Sequence, residues 1–193
     1  MVTLNDYFKK VVKGKIVVDL GCAGYLGKYS DRANILFEHS KEWYGGDINK
    51  NFIELYDNNK NLFFTNLNNP DFFTSVPDHT QVISLIDVIE HLENPYGLLK
   101  YIRENKDSST ELLISVPNSL SFGKILCGLL SKKKLVRQDR KHLHAFNESV
   151  LINMFKRLRF SEFKIIPYIK NKGVLSLMEH LPNFSSGFIV HAK

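Results

Sequence analysis

The sequence predicts an α/β domain, doubly wound around a parallel sheet, and three observations predict it. Short apolar runs bounded by turn residues alternate with stretches of helical periodicity along most of the chain. Strands joined through helices close by right-handed crossovers into parallel sheets. The first two apolar runs each end in a carboxylate, Asp19 and Asp47, where such sheets present groups to ligands. The chain's 193 residues, 44% of them hydrophobic, suit one domain with a full core.

Residues 15–20 read as the first strand and 27–39 as a loop leading into a helix. Residues 42–47 form the next strand and 50–59 a helix. Residues 62–66 are strand-like and precede the turn-rich NLNNPD. QVISLI, residues 81–86, has the β-branched run of a buried strand. Pro95 opens a helix over 95–105 with Asn94 as its cap. ELLISV, residues 111–116, is a strand that stops at Pro117. The helix over 148–158 is drawn from Val150, Leu151, Met154, Phe155 and Leu158. Residues 162–168 and 187–192 read as two closing strands. Between the fifth strand and the 148–158 helix lies an insertion, residues 119–146, with a helix expected over 122–130.

Charge is concentrated in that insertion. It holds seven Lys/Arg against one acid, Asp139, a balance of +6 that equals the net charge of the whole chain. Such a run is a solvated surface or a basic rim for an anionic substrate. No apolar stretch approaches the roughly 20 residues that cross a bilayer, and MVTLNDYFKKVVKGK lacks the apolar core of a signal peptide. Cys22 and Cys127 provide neither a disulfide framework nor a metal-ligand spacing. The expectation is a single-domain cytoplasmic protein.

VVDLGCAGYLG, residues 17–27, ends a buried strand in an acid and small residues. Gly21 and Gly24 remove side chains that would block a close-lying ligand. The spacing is not G-x-G-x-x-G, because Ala23 stands where a middle glycine belongs, so a pyrophosphate cradle is poorly supported. A nucleotide-like ligand without a diphosphate fits better. Asp19 would face its cationic part, and Asp47 would accept bonds from its ribose hydroxyls. Asp47 lies 28 positions after Asp19, more than the roughly 20 of a compact dinucleotide-binding unit.

Asp19-Leu20-Gly21-Cys22 is followed in order by Gly45-Gly46-Asp47-Ile48 and by Thr65-Asn66-Leu67. Then come Asp87-Val88-Ile89-Glu90-His91-Leu92-Glu93-Asn94-Pro95, Leu113-Ile114-Ser115-Val116-Pro117-Asn118 and His142-Leu143-His144-Ala145-Phe146. In this order and spacing the chain resembles class I S-adenosylmethionine-dependent methyltransferases, of the kind grouped as types 11, 12 and 23. The resemblance spans most of the chain. It implies a three-layer sandwich on a seven-stranded, mostly parallel sheet whose last strand, 187–192, is antiparallel and inserted beside the fifth. It implies S-adenosylmethionine as cofactor, held by Asp19, Gly21, Cys22, Gly24, Asp47, Ile48, Asn66, Leu67 and Asp87. Two departures stand out. The first loop lacks G-x-G, and Asn66 replaces an acid common in the family, leaving its carbonyl to meet adenine N6.

Methyl transfer to a hydroxyl requires alignment of the oxygen and removal of its proton. His91, with Glu90 beside it, is the first candidate base. His142 and His144, at the end of the basic insertion, are expected to close over the substrate. No metal is assigned. A divalent-ion alternative would use Asp87, Glu90 and His91, spaced i, i+3, i+4, with His142 or His144. That set resembles the ligand pattern of metal-dependent small-RNA 2′-O-methyltransferases, with Asp87 in place of the first Glu.

The expected function is O-methylation of a small-molecule or glycan acceptor, lipid-linked ones included, with the insertion as substrate lid. Residues 122–141, apolar then basic, would also suit peripheral membrane contact. An RNA acceptor is less favoured, for want of a recognition motif with interleaved aromatics. A non-catalytic cofactor-binding protein is the alternative from another class, and the missing phosphate fingerprint argues against a nicotinamide dehydrogenase. Tyr168 and Phe184 are expected in the core rather than in a substrate cavity.

Overall fold

A computed structural model describes residues 3–24, 30–56, 61–130, 141–169 and 184–193; the side chains of 70–72 and 127–130 lie outside that description. The chain order is α1 (Leu4–Val12), β1 (Ile16–Leu20), α2 (Asp31–His39), β2 (Glu42–Asp47), α3 (Lys50–Leu55) and β3 (Leu62–Phe64). There follow β4 (Val82–Ile86), α4 (Pro95–Asn105), β5 (Glu111–Pro117), α5 (Phe122–Leu130), α6 (Glu148–Arg157), β6 (Phe163–Tyr168) and β7 (Gly187–Ala192). One sheet takes the order β3-β2-β1-β4-β5-β7-β6. The pairs among β1 to β5 are parallel, and β7 lies antiparallel between β5 and β6. The doubly wound sheet, its seven strands and its inserted last strand are as the sequence and the resemblance led one to expect.

Side-chain caps set the helix starts. Ser30, Asn94 and Asn147 accept the N–H of Ala33, Gly97 and Val150 at 2.9, 2.8 and 3.0 Å, each worth about 1 kcal/mol. The third strand stops at Phe64, short of the expected residue 66, because Asn66 Oδ1 accepts the N–H of Asn68 and turns the chain. The third helix ends at Leu55, while 57–60 lie outside the described residues. Helix α1 was not expected at all. Leu4, Phe8, Val11 and Val12 are its buried face and Thr3 its cap, so its periodicity and cap were both present in the sequence. Short 3-10 turns at Pro70–Ser75 and Ile89–His91 were likewise unforeseen.

The core lies on both faces of the sheet. Leu20, Leu85, Ile114, Leu151, Phe155 and Phe188 belong to one cluster; Phe8, Leu36, Trp43, Phe52 and Tyr168 belong to the other. Each fully buried side chain of this size contributes about 1.5–3 kcal/mol. No helix among the described residues is long and apolar enough to cross a membrane.

At the edge opposite the strand exits, Glu111 on β5 gathers three elements. Its carboxylate accepts from Lys15 Nζ at 2.9 Å and from His191 Nε2 at 2.9 Å, and His191 Nδ1 lies 2.9 Å from the Tyr7 hydroxyl of α1. A carboxylate only accepts, so Nε2 carries the proton and Nδ1 of the neutral ring accepts from Tyr7. Burial works to raise the Glu111 pKa, but the bonds from Lys15 and His191 outweigh it and hold the carboxyl below its ordinary value. The stability this confers is present above the ordinary carboxylate pKa and is lost as pH falls through the lowered folded one. Glu111→Gln is expected to cost about 1–2 kcal/mol at pH 7. In thermal melts the gap to wild type should narrow progressively on acidification below that range; a gap independent of pH would contradict the assignment.

Candidate functional site

The exits of β1 and β2 are adjacent, with Asp19 opposite Gly45 and Leu20 opposite Gly46. The chain leaving β1 is tied to β2 by three bonds. Gly21 and Cys22 donate their N–H groups to the Gly46 carbonyl at 2.7 and 3.3 Å. Ala23 donates to Asp47 Oδ2 at 2.9 Å, and Asp47 Oδ1 accepts from Asn49 at 2.9 Å. Gly21 has φ +89, and a Cβ there would come within 2.4 Å of Val88 Cγ2. The first glycine is thus required by both its torsion and its space.

Asp19 is placed differently from its neighbour. It is buried beneath the cleft floor, bonded through Oδ1 to the Ser84 hydroxyl at 2.7 Å. Burial raises its pKa to about 7 against the lowering effect of Ser84, and the Asp47 charge adds to the rise. Cys22 is also fully buried, and its thiol pKa is raised chiefly by that burial. Its role at the site is carried by its backbone.

The cleft crosses the exits of β3, β2, β1, β4 and β5 and has a volume of about 1360 Å³. Gly21, Gly24, Asp47, Ile48, Asn66, Leu67 and Asp87 all line it. Ile48 is 59% exposed, which leaves an apolar face open beside Asp47. Asn68, in the turn after β3, accepts from Glu93 N–H at 3.2 Å and so joins the two loops that bound one side.

At the exit of β4, Asp87 has φ 54, uncommon for a residue with a side chain. Its N–H bonds the Ser115 carbonyl at 3.0 Å, its Oδ1 accepts from the Ser115 hydroxyl at 2.8 Å, and Oδ2 pairs with Arg32 of α2. The 3-10 turn then carries Glu90, buried, and His91, exposed. The returning leg of the insertion docks on this turn. Leu143 and His144 donate to the Glu90 carbonyl at 2.8 and 3.1 Å, and His91 Nδ1 donates to the Lys141 carbonyl at 3.0 Å. A carbonyl only accepts, so Nδ1 carries the proton and Nε2 of the neutral ring keeps its lone pair.

The His91 and His142 rings are 4.8 Å apart, centroid to centroid. One ligand atom each from Glu90, His91 and His142 lie within 4.8 Å of one another. Asp87 and His144, both in the sequence-derived set, stand outside this cluster. Asp87 faces Arg32 and Ser115, and His144 Nε2 is buried with no hydrogen-bond partner among the described residues.

The insertion is clamped at its root. Asn118 is fully buried, donates to the Ser185 carbonyl at 3.0 Å and accepts from Leu120 N–H at 2.9 Å, while Ser119 donates to the Phe146 carbonyl at 2.8 Å. Lys141, His142 and Leu143 form cleft wall. Residues 131–140, the most basic part of the expected lid, lie outside the described residues. Tyr168 is fully buried, and burial raises its pKa with Asp87 adding to the rise. Residues missed in the sequence are Ser84, Ser115 and Arg32. The two serines carried a signal: a hydroxyl inside a continuous apolar strand needs a partner. Arg32 carried none.

No family model matches the chain, and no curated protein matches it. Solved structures do. A SAM-dependent methyltransferase from Archaeoglobus fulgidus is 18% identical at TM-score 0.66, over 98% of this chain and 90% of that one. A SAM-dependent methyltransferase from Thermotoga maritima, described as a possible histamine N-methyltransferase, is 12% identical at TM-score 0.64, over 97% and 86%. The methyltransferase domain of bacterial-CtHen1-CN is 17% identical at TM-score 0.64, over 97% and 94%. The chain has the Rossmann-like fold of these methyltransferases.

Replacing Gly21 by Ala is expected to destabilise the protein by about 1–2 kcal/mol from the left-handed torsion alone, with displacement of Val88 added. Denaturant midpoints measure this. An unchanged midpoint would mean that the first loop is not held as described.

Proposed function

We propose that the protein is an S-adenosylmethionine-dependent methyltransferase acting on an oxygen of a small-molecule or glycan acceptor, lipid-linked carriers included. The observation that carries the reading is Asp47. Its carboxylate lines the cleft at the exit of β2, pinned by two backbone N–H groups, with lone pairs left for the vicinal hydroxyls of a ribose. Ile48 offers an apolar surface for a flat base, and Asn66 a side-chain amide beside it. The donor set therefore fits an adenosyl group and lacks a diphosphate cradle. When bound, S-adenosylmethionine supplies an electrophilic methyl group on a sulfonium.

What remains for the chain is to orient the acceptor and take its proton. Orientation can supply on the order of 7–11 kcal/mol in favourable cases. His91 Nε2 is the base: the bond from Nδ1 to the Lys141 carbonyl fixes the ring and steadies the imidazolium that forms. Glu90 and His142 stand close enough to share the positive charge or to orient the hydroxyl. The basic, partly apolar composition of the insertion, whose Lys141, His142 and Leu143 line this end, supports an anionic or amphipathic acceptor, or one met at a membrane surface.

A second reading has its own support. Glu90, His91 and His142 can hold a divalent ion, which would lower the pKa of an acceptor hydroxyl. A structural neighbour at TM-score 0.64 and 14% identity, covering 98% of this chain and 25% of its own, is a small RNA methyltransferase, HEN1. An RNA 2′-hydroxyl would then be the acceptor, and the basic insertion would bind its backbone.

Asp47→Ala is expected to weaken S-adenosylhomocysteine binding on the order of a hundredfold by calorimetry, with some loss of stability because Ala23 and Asn49 lose their acceptor. Asp47→Asn should fall between. Unchanged affinity in both variants would remove the ribose assignment.

His91→Ala should lower turnover by roughly 10²–10⁴ and cofactor affinity far less. Manganese titration separates the two readings. Heat of binding that disappears in His142→Ala supports the ion, whereas full turnover in a chelator supports the unaided base.

A further inference from the structure

The edge of the sheet opposite the cleft holds a second pocket of about 730 Å³, a size that suits a small molecule. It shares no lining residue with the cleft. Four lysines line it against two glutamates, an excess of two positive charges. Lys10 comes from α1, Lys15 from the residue before β1, Lys164 from β6 and Lys193 from the residue after β7. Two observations set this pocket apart from a solvated charged face.

The first is where the charge is left over. Glu111 is taken up by Lys15 at 2.9 Å, by His191 at 2.9 Å and by Lys193 at 3.9 Å. Glu162 is exposed, where solvent screens it. Lys10 and Lys164 are exposed and have no ion-pair partner among the described residues. Lys10 follows Tyr7 by three positions on α1, so the two are neighbours on the helix surface. Lys164 stands opposite His191 in the β6–β7 ladder, on the same face of the sheet. The uncompensated charge therefore flanks the Tyr7–His191–Glu111 chain from both sides.

The second is the chain itself. Burial and the Glu111 charge raise the Tyr7 pKa, so the phenol stays protonated and is a donor rather than a nucleophile. With a neutral ring its proton is committed to His191 Nδ1. One added proton reverses this. It settles on Nδ1, the imidazolium donates to the Tyr7 oxygen and through Nε2 to Glu111, and the phenolic O–H is released to a ligand.

We propose that this pocket binds a doubly charged oxyanion of the phosphomonoester class, held by Lys10, Lys164 and the Tyr7 hydroxyl, with His191 taking up one proton from solvent as it binds. The inference is independent of the adenosyl reading, since the pocket lies at the other edge of the sheet. The competing explanation is that the chain only fastens α1 to β5 and β7.

The test is calorimetry on the full chain with inorganic sulfate, a dianion whose charge is constant across the neutral range, in two buffers of different ionisation heat near pH 7. Wild type should bind at one site with net proton uptake. Lys10→Ala with Lys164→Ala should weaken binding by about tenfold or more and leave the melting temperature unchanged, because both side chains are exposed. His191→Gln should bind without proton uptake. Lys132→Ala, Lys133→Ala and Lys134→Ala together, which remove the densest charge of the insertion, should leave both affinity and uptake as in wild type. Inorganic phosphate should compete with sulfate. Absence of saturable binding, binding by wild type without proton uptake, or a loss confined to the insertion variant would each overturn the proposal.

Discussion

The cleft depends on the way the first loop is bonded to the second strand. Gly21 and Cys22 give their N–H groups to the Gly46 carbonyl, and Ala23 gives its own to the Asp47 carboxylate. In a dinucleotide-binding loop, backbone N–H groups after the first strand point outward and receive phosphate. Here three consecutive ones are taken up by the neighbouring strand. The loop therefore has little left to offer an anion, and what faces the cleft is a carboxylate. On the proposed reading, that single difference in bonding suits hydroxyls and cations rather than phosphate.

The same arrangement brings two acids together under low solvent exposure. Asp19 keeps its place through Ser84 and has its pKa raised to about 7, with burial as the main cause and the Asp47 charge as a lesser one. A cation entering the cleft relieves this repulsion and draws Asp19 toward its ionised form. Asp19 can thus act on a ligand that it does not touch, through its field, while Asp47 acts by direct bonds. The expected division, Asp19 toward a cationic part and Asp47 toward ribose hydroxyls, is accompanied by a difference in depth. Asp19 is inside β1 beneath the floor, whereas Asp47 is the final residue of β2 and reaches the cleft.

The sheet and its helices were legible because their signals are local. Buried strands have apolar runs, Asn94 announces a helix start, Pro95 opens that helix, and the spacing of Val150, Leu151, Met154, Phe155 and Leu158 marks another. Helix α1 was equally legible, through Thr3 and the spacing of Leu4, Phe8 and Val11, but its segment was weighed only as a targeting signal. Cleft-lining positions were legible where a residue stands at or just past a strand end, as with Asp47, Asn66 and Asp87. The site was not legible where a contact joins distant parts of the chain. Nothing near Arg32 in sequence points to Asp87, and the spacing of Asp87, Glu90 and His91 suggested one helical face. In fact the left-handed backbone at Asp87 turns that carboxylate toward Arg32 and Ser115, away from Glu90 and His91.

The two halves of the cleft are built by different physics, and this bears on which reading of the acceptor is followed. On the β3-β2-β1 side the wall is sheet exit, held by short bonds between neighbouring strands. On the β4-β5 side it is a 3-10 turn onto which residues 141–144 dock, about 50 positions further along the chain. Lys141, His142 and Leu143 enter the cleft only because Asn118 and Phe146 clamp the root of the insertion and the Glu90 carbonyl receives its returning leg. On the proposed reading the adenosyl end is therefore set by the fold, while the acceptor end is set by a segment that the sheet merely supports. Neighbours that share the sheet at 18% identity or less then say little about the acceptor. The informative residues are those the insertion brings to the cleft: a lysine, a histidine beside Glu90 and His91, and a leucine 61% exposed. On the reading proposed above, they suit an acceptor with negative charge at one end and an apolar surface next to its reacting hydroxyl.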